Sequence, residues 1–360
     1  MTFKEKLNTI SVMFYPLIKS LLFSLDPETA HNLTLEVAKL SPVLGKLTGM
    51  VSDSRLALNV GKVRWNFPVG LAAGLDKNAE ALTFFSAQGF GAIECGTVTL
   101  MPQEGNPRPR MFRYPTELSL RNAMGFPNQG LLEILPRLKS YQGNTPLGVN
   151  IGKNKDTSPE ESVNELSLLL ETLQDHADYF VINVSSPNTP GLRSLQETPY
   201  LSELFSELNK SRGDKDLYLK IAPDLTKEKI LELTKLTHDF GLSGLIATNT
   251  TIMSERGAGG VSGALLREKS HEVCRIILNE RLNSELIAVG GISEPKDLFN
   301  LWNEGGKVVQ IYTSYVYQGP EVLKKFHKAL FNFTTTQQMD LENFFKLPLS
   351  ERQYRLKDFL

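Results

Sequence analysis

The stretch YFVINVSSPNTPGLR (179–193) joins a short apolar run to a loop of polar residues and prolines. The run up to Asn183 has the composition of a strand that is buried on both faces. The polar residues follow at once, and Pro187 and Pro190 restrict the backbone that carries them. The segment is either an ordinary exit from a strand or a surface that presents amide and hydroxyl groups to a ligand.

Further runs rich in Val and Ile predict a repeating strand–helix pattern. The predicted strands lie at 67–74, 91–99, 146–152, 179–186, 217–223, 244–250, 285–291 and 308–314. Segments of helical period separate most of them, often after Asn, Asp or Ser, the usual N-caps. Eight such units predict a (β/α)8 TIM barrel, which takes about 250 residues. An open doubly wound sheet is the alternative, but eight strands with none left over favour the barrel, and both folds bind ligands at the carboxyl ends of their strands.

Composition excludes several classes of protein. The chain has 360 residues, a formal net charge of -1 and two cysteines. This charge gives no general electrostatic reason to bind nucleic acid. Two cysteines are too few for a disulfide framework or a four-thiolate cluster, so a reducing compartment is expected.

Two helices are predicted before the barrel. The first carries an apolar stripe of Ile10, Met13, Phe14, Leu17 and Leu21, and the second carries Leu33, Val37, Leu40 and Leu44. Asp26 and Pro27 are a typical start for the second helix. The uncharged run 7–18 is too short to span a bilayer. The residues alone favour two core helices that close the bottom of the barrel; the alternative is an apolar pair at a membrane surface.

Two other segments lie outside the strand–helix units. The long connection 101–128 contains Arg108, Arg110 and Arg113 and predicts an ordered lid over the barrel mouth. Beyond the eighth helix, TTTQQ (334–338) is interpreted as a linker. Several apolar residues of 333–360 then predict a tail that docks on the barrel: Phe344, Phe345, Leu347, Leu349 and Phe359.

The residues at the predicted strand ends are rich in amides and hydroxyls and include two lysines. They are Asp76, Lys77, Thr97, Thr99, Asn150, Asn183, Ser185, Ser186, Lys220, Thr248, Asn249, Thr250, Gly290, Gly291, Tyr312 and Thr313. None is a histidine, so neither a histidine base nor a histidine metal site is expected, and no metal is predicted. The absence of a carboxylate pair argues against glycosidase chemistry.

This set of residues suits a flat, polar heterocycle with an anionic group. Gly290, Gly291 and the backbone near Thr313 lie where barrels commonly bind phosphate, and GGVSG (259–263) offers more N–H groups. Any single glycine more often serves only a turn. Together they suggest flavin mononucleotide (FMN), whereas a dinucleotide lacks its glycine fingerprint.

Lys220 lies inside an apolar run, where a charge is costly without a partner. It is predicted to stabilise the anionic reduced form of the flavin, with a structural ion pair as the alternative. Lys77 is expected to have a role in the site because it follows the first strand, although a surface pair with Asp76 is the simpler interpretation.

A series of motifs in this chain closely resembles the quinone-dependent class (class 2) of the dihydroorotate dehydrogenase family. The motifs are GLAAGLDKN, GTVT, EGNPRPRMFR, GVNIGKNK, INVSSPNTPGLR, KIAPD, IATNTT, GGVSG, VGGI and QIYTS, in the family's order. The resemblance covers about residues 13–330. It implies a TIM barrel over 46–332, a membrane-associated quinone-tunnel segment over 1–45, and a tail of unknown role over 333–360.

The resemblance also implies the activity and the site residues. The enzyme would oxidise (S)-dihydroorotate to orotate in pyrimidine biosynthesis. Ser186 would remove the C5 proton as the catalytic base, hydride would pass from C6 to FMN N5, and a membrane quinone would reoxidise the flavin. The implied FMN site is Ala73, Gly74, Leu75, Asp76, Lys77, Thr97, Asn150, Asn183, Lys220, Thr248, Gly263, Gly291, Tyr312 and Thr313. The implied orotate site is Lys77, Asn122, Ala123, Met124, Gly125, Phe126, Asn183, Asn188, Asn249 and Thr250.

His31 and Arg113 are the implied quinone-tunnel residues, and the implied location is the cytoplasmic face of a bacterial inner membrane. This reverses the preference for core helices at residues 1–45. A class 1 enzyme that uses fumarate or NAD would carry a cysteine at the position of Ser186. A dihydrouridine synthase would need a basic surface for RNA. A barrel kept only as a binding protein would not be expected to retain both lysines and Ser186.

Overall fold

Eight parallel strands close into a barrel in the computed structural model, which describes residues 15, 18–50, 52–189 and 191–360. The barrel strands are Val69–Leu71, Ile93–Val98, Leu147–Ile151, Tyr179–Asn183, Asp216–Ile221, Gly244–Ala247, Glu285–Val289 and Val308–Ile311. Their order around the barrel is their order along the chain, and the eighth pairs with the first. The predicted TIM barrel is confirmed: each strand falls in a predicted run, except that the fifth begins one residue earlier, at Asp216.

Helices cover the outside of the barrel. They are Leu82–Gln88, Gly130–Ser140, Pro159–Leu173, Thr198–Ser211, Lys227–Asp239, Arg267–Asn279, Pro295–Glu304, Thr313–Gln318 and Glu321–Gln337. The start of Pro159–Leu173 shows why they form where they do: Ser158 and Glu161 make a capping box, and the leucines at helical spacing face the strands.

A short antiparallel hairpin, Leu58–Val60 with Val63–Trp65, closes the amino end of the barrel. The Trp65 ring lies in the barrel interior, 6.4 Å from the Tyr179 ring. The Lys62 N–H donates to the carboxylate of Asp216, the first residue of the fifth barrel strand. The hairpin fills the bottom with apolar side chains, so the polar side chains of the strands are left to the opposite end.

The connection 101–128 is ordered, as predicted. Its strands Met111–Tyr114 and Ser119–Asn122 form an antiparallel sheet with Gly260–Gly263 and Thr251–Ile252, which follow the sixth barrel strand. Backbone pairing between two separate connections therefore holds this cover over the carboxyl ends of the barrel strands.

The N-terminal helical region is attached beside this sheet and does not lie under the barrel. Residues 18–24 are helical, and Pro27–Leu40 and Pro42–Thr48 follow. The buried carboxylate of Glu28 accepts from Arg110, at 2.8 Å from its Nη2, and Arg113 donates to the Leu25 carbonyl at 2.9 Å. The interpretation as core helices that close the barrel bottom is wrong, because the hairpin occupies that end.

The apolar stripe of the second predicted helix faces solvent. Leu33, Val37, Leu40 and Leu44 are all exposed, and Leu40 is 77% exposed. Leu21 is also exposed, whereas Ile10, Met13, Phe14 and Leu17 lie outside the described residues. No helix in the described ranges is long and apolar enough to cross a bilayer.

The C-terminal segment docks as expected, but TTTQQ is not a linker. These residues are the last turns and C-cap of the helix Glu321–Gln337, and the helices Leu341–Lys346 and Leu349–Leu356 follow. Phe344, Phe345 and Phe359 join an aromatic cluster with Trp302 and Phe333. The proposed domain boundaries at 45/46 and 332/333 fall inside the helices Pro42–Thr48 and Glu321–Gln337.

Candidate active site

A cavity of about 420 Å³ opens at the carboxyl ends of the barrel strands, under the four-stranded sheet. A cavity of this size is in the range of small-molecule and cofactor sites. The structure brings most of the predicted site residues to its wall: Ala73, Gly74, Lys77, Thr97, Asn122, Met124, Gly125, Phe126, Asn183, Ser186, Asn188, Lys220, Thr248, Asn249, Thr250, Gly263, Gly291, Tyr312 and Thr313.

Six predicted site residues do not line this cavity: Leu75, Asp76, Asn150, Ala123, His31 and Arg113. Asp76 points into the protein, where its carboxylate accepts from the N–H groups of Glu80 and Ala81, each at 2.8 Å. Burial raises the pKa of Asp76 despite these bonds. Asp76 therefore orders the loop that carries Lys77, and its predicted contact with a cofactor stays a prediction.

Asn150 lies directly behind the wall. Its Oδ1 accepts from the Thr97 hydroxyl at 2.6 Å and from Asn183 Nδ2 at 3.1 Å. Asn183 Oδ1 accepts in turn from Ser185 Oγ at 3.1 Å. These contacts link neighbouring barrel strands and fix the orientation of each amide, because one amide nitrogen must meet the next acceptor.

Lys220 lines the cavity and also has a buried partner. The ion pair that was the alternative interpretation is therefore present, and the role of Lys220 toward a flavin stays a prediction. Its Nζ lies 3.8 Å from Glu94 Oε1, and both side chains are almost fully enclosed. Gln310 donates to the other Glu94 oxygen at 2.7 Å. Sequence reasoning missed Glu94 and Gln310, although each is a strongly polar residue within a mainly apolar run, GAIECGTVT and VVQIYTS. Such a residue on a buried strand signals a partner or a site.

Lys77 is the second cation of the cavity. Its Nζ donates to the Gly74 carbonyl at 2.7 Å. Burial lowers the pKa of Lys77 to about 8, while the charges of Glu28 and Asp76 act in the opposite direction. His31 lies on the helix Pro27–Leu40. Burial lowers the pKa of His31 well below its usual range, and the positive charge of Lys77 acts in the same direction. His31 is therefore neutral at pH 7.

Ser186 lies in the wall on a loop with several anchors. Its Oγ accepts from the Asn188 N–H at 3.2 Å, and Asn106 donates to the Asn188 carbonyl at 2.9 Å. Arg193 pairs with Asp224 at 2.7 Å and donates to the Ser185 carbonyl at 3.0 Å. These bonds attach the loop to neighbouring connections, which explains the role of Arg193 in the motif.

The opposite end of the cavity is lined by glycines and hydroxyls. Gly263 and Gly291 have φ values of +91° and +72°, which favour glycine, and a Cβ on Gly291 would lie 2.4 Å from Arg267 Cα. Thr313 Oγ1 and Ser262 Oγ are 2.8 Å apart. Backbone and hydroxyl groups thus surround this end, and Glu294 also lines the cavity beside Gly291.

Four buried polar atoms on residues that line the cavity have no hydrogen-bond partner. They are Asn188 Oδ1, Thr250 Oγ1, Gln310 Oε1 and Ser314 Oγ. Unsatisfied buried groups are costly in a folded protein, so a cluster of them around one space indicates a polar ligand. With Lys77 and Lys220 as cations, this donor and acceptor set fits a flavin phosphate together with a small anionic substrate.

The rim near the N-terminal helices contains residues that sequence reasoning did not select. Lys19 and Tyr317 line the cavity, and Lys19 Nζ lies over the rings of Phe23 and Tyr317, at 5.2 and 5.5 Å from their centroids. The Arg113 guanidinium also lies over the Phe23 ring, 4.5 Å from its centroid. Arg113 therefore contacts a ring that packs against Lys19 and Tyr317 of the cavity rim.

Comparisons with known proteins agree with this geometry. The profile of the dihydroorotate dehydrogenase family matches residues 55–333. The chain is 42% identical over 330 residues to a dihydroorotate dehydrogenase (quinone) of Sulfurimonas denitrificans, covering 88% of this chain and 93% of the relative. It is 43% identical over 315 residues to that of Thermus thermophilus, covering 83% and 91%.

A solved structure is similar over the same range. The crystal structure of DHODH in complex with ferulenol from Eimeria tenella superimposes with a TM-score of 0.81 at 33% identity, covering 88% of this chain and 94% of that one. Family profile, relatives and fold agree over the residues that form the barrel and its cavity. The chain therefore belongs to the dihydroorotate dehydrogenase family.

Proposed function

We propose that this protein oxidises dihydroorotate to orotate with bound FMN and passes the electrons to a membrane quinone. The observation that carries the proposal is one cavity whose wall includes Ser186, the buried lysines Lys77 and Lys220, and four residues with an unpaired polar atom. The names of the relatives supply the reaction, and the cavity contains residue types that suit it.

FMN, when bound, supplies the acceptor for the substrate's hydride. The residues that would hold it are Thr97, Asn183 and Lys220 at the base of the cavity, and Gly263, Gly291, Tyr312 and Thr313 at the glycine-lined end. Lys220 would place a positive charge against the ring system, and the hydroxyl and backbone groups would bind the phosphate.

The substrate would lie between the cover and the strand ends. Lys77 would pair with its carboxylate, because two of the lysine's protons remain after the bond to Gly74. Asn122, Asn188, Asn249 and Thr250 would bind its ring amides, and the unpaired oxygens of Asn188 and Thr250 would accept from the ring N–H groups. Met124, Gly125 and Phe126 would complete the pocket.

Ser186 Oγ would take up the C5 proton while its own hydroxyl proton passes to solvent, so the side chain would be neutral before and after the step. Burial of the hydroxyl disfavours a free alkoxide as the resting form. The Asn188 N–H donates to this oxygen and stabilises charge that develops there. Exclusion of water by the four-stranded cover strengthens this interaction.

The exposed apolar face of the N-terminal helices would rest on a membrane. Leu33, Val37, Leu40, Val43 and Leu47 all face solvent on consecutive helices. A helix pair with such a face suits an interfacial position. A quinone would then approach the cavity past Lys19, His31 and Arg113. The proposed location is peripheral, on the cytoplasmic face of a bacterial inner membrane.

Replacing Ser186 tests the catalytic assignment. Ser186→Ala should slow reduction of the flavin by saturating dihydroorotate about 10²-fold or more, the usual scale for a general base. Ser186→Cys should retain some activity, with the pH profile moved to lower pH, because a thiol ionises more readily. Stopped-flow absorbance measures both.

The adjacent serine is the matched control. The Ser185 hydroxyl bonds to Asn183 and Asn249, so Ser185→Ala should weaken binding more than it slows reduction at saturation. An unchanged rate in Ser186→Ala, with FMN bound, would remove Ser186 as the base.

The pKa of Lys77 predicts how orotate binding depends on pH. Below a pH of about 8 Lys77 is an ammonium, and above it an uncharged amine. Orotate affinity should therefore fall as pH rises through and above this value, by up to about tenfold per unit. Bound orotate favours the ammonium and moves the midpoint upward. Lys77→Gln should bind weakly and lose this dependence between about pH 7 and pH 9. A dependence that Lys77→Gln retains would assign the titration to another group.

The exposed helical face predicts membrane binding. Val37→Glu combined with Leu40→Glu should reduce partitioning into anionic liposomes at least tenfold, because about 1.5–3 kcal/mol is lost for each large apolar side chain that no longer inserts. Reduction of the flavin by dihydroorotate should stay unchanged, and turnover with a long-chain quinone should fall. Leu132→Glu is the control, since Leu132 is 81% exposed on a barrel helix. Equal partitioning of both variants would contradict the assignment.

A further inference from the structure

Glu94 is a buried carboxylate that the proposed chemistry does not use. It lies on the second barrel strand, behind the cavity wall, and its side chain is fully enclosed. Three side chains point donors at it: Asn150 Nδ2 at 2.8 Å, Gln310 Nε2 at 2.7 Å and the Lys220 ammonium at 3.8 Å. A buried acceptor with this many donors is an ionised carboxylate.

The carboxylate decides which way the neighbouring amides face. An ionised Glu94 accepts only, so Asn150 must turn its nitrogen toward Glu94 and its oxygen toward Asn183. Asn183 then gives its nitrogen to Asn150 and to Thr97, and its oxygen accepts from Ser185 and Asn249. One acceptor therefore fixes the donor and acceptor pattern of the base of the cavity across several strands.

Gln310 shows the consequence for a ligand. Its nitrogen is held by Glu94, and its oxygen is a buried acceptor without a partner on a residue that lines the cavity. This oxygen would accept from an N–H or O–H of a ligand placed beside it. If position 94 were able to donate, Gln310 would be free to turn over and present its nitrogen.

Glu94 also offsets the charge of Lys220. The positive charge of the lysine stabilises negative charge in the cavity, and the carboxylate 3.8 Å behind it opposes this effect. In an enclosed site two such charges act on a ligand with little screening by water. The net field at the base of the cavity is thus the difference between the two.

We propose that Glu94 is a positioning residue that orients the amides at the base of the cavity and, by partly neutralising Lys220, holds down the reduction potential of the bound flavin. This rests on the proposed binding of FMN. The residue acts through Asn150, Gln310 and Lys220 and does not line the cavity.

Glu94→Gln tests the proposal on the flavin-loaded protein. The substitution keeps the shape of the side chain and removes one negative charge, so the anionic reduced form gains affinity relative to the oxidised form. The ratio of the two affinities should rise at least tenfold, which raises the two-electron potential by about 30 mV or more. Equilibrium photoreduction against a reference dye measures the potential, and titration of the apoprotein with FMN measures the oxidised affinity.

Two variants serve as controls. Glu94→Asp keeps the negative charge, so the potential of the bound flavin should lie closer to that of the wild type than to that of Glu94→Gln. Asp216→Asn neutralises another buried carboxylate at the amino end of the strand that carries Lys220, and it should change the ratio less than twofold. An unchanged or lower potential in Glu94→Gln, or an equal shift in Asp216→Asn, would overturn the proposal.

Glu94→Gln leaves the buried charge of Lys220 without its partner, which can by itself prevent folding. A second comparison is therefore made in variants that lack the charge of Lys220. Lys220→Gln alone should lower the ratio, and Lys220→Gln with Glu94→Gln should raise it again at least tenfold; equal ratios would overturn the proposal. If the wild-type protein takes up no FMN, the proposed function fails and this inference fails with it. If the wild type binds FMN and dihydroorotate reduces it, a missing shift counts against the Glu94 inference alone.

Discussion

The ion pair between Lys220 and Glu94 inside the barrel is the constraint on which the site depends. A closed ring of eight strands leaves its interior with little water, so a lysine there needs a partner. The partner comes from a strand on the other side of the ring, and the amides of Asn150 and Gln310 complete its hydrogen bonds. The lower interior, around Trp65 and Tyr179, is apolar by contrast. The barrel is thus divided into a packed base and a polar upper layer.

The cover and the N-terminal helices extend this arrangement outward. The four-stranded sheet is formed by two connections that each follow a barrel strand, and the hydrogen bonds between them fix the cover above the cavity. The Glu28–Arg110 pair, with both side chains buried, joins the start of the helix Pro27–Leu40 to the same cover. His31 on that helix consequently lies near Lys77. The Glu28–Arg110 pair thereby connects the helix whose exposed face suits a lipid interface to the cover of the cavity that suits a polar cofactor.

Sequence patterns predicted most of this architecture, and the errors have physical causes. The barrel strands were predictable because buried parallel strands are continuous apolar runs, and the polar residues after them gave most of the cavity wall. TTTQQ was misread because a run of polar residues that begins with three β-branched threonines resembles a linker. Packing of Phe333 against Trp302 and Phe344 nevertheless extends the helix through it. Glu94 and Gln310 were missed because their role depends on neighbours across the barrel, which spacing along the chain does not reveal. Asp76 stood beside Lys77 in sequence, but its carboxylate turns to backbone N–H groups of its own loop.

The absorbance spectrum of the purified protein, recorded before and after anaerobic addition of dihydroorotate, tests the central claim most directly. The account predicts the visible absorption bands of bound FMN, bleached by about one equivalent of dihydroorotate and restored by a soluble quinone. A protein that binds no flavin even when FMN is added, or whose flavin bands do not bleach with dihydroorotate, would contradict it.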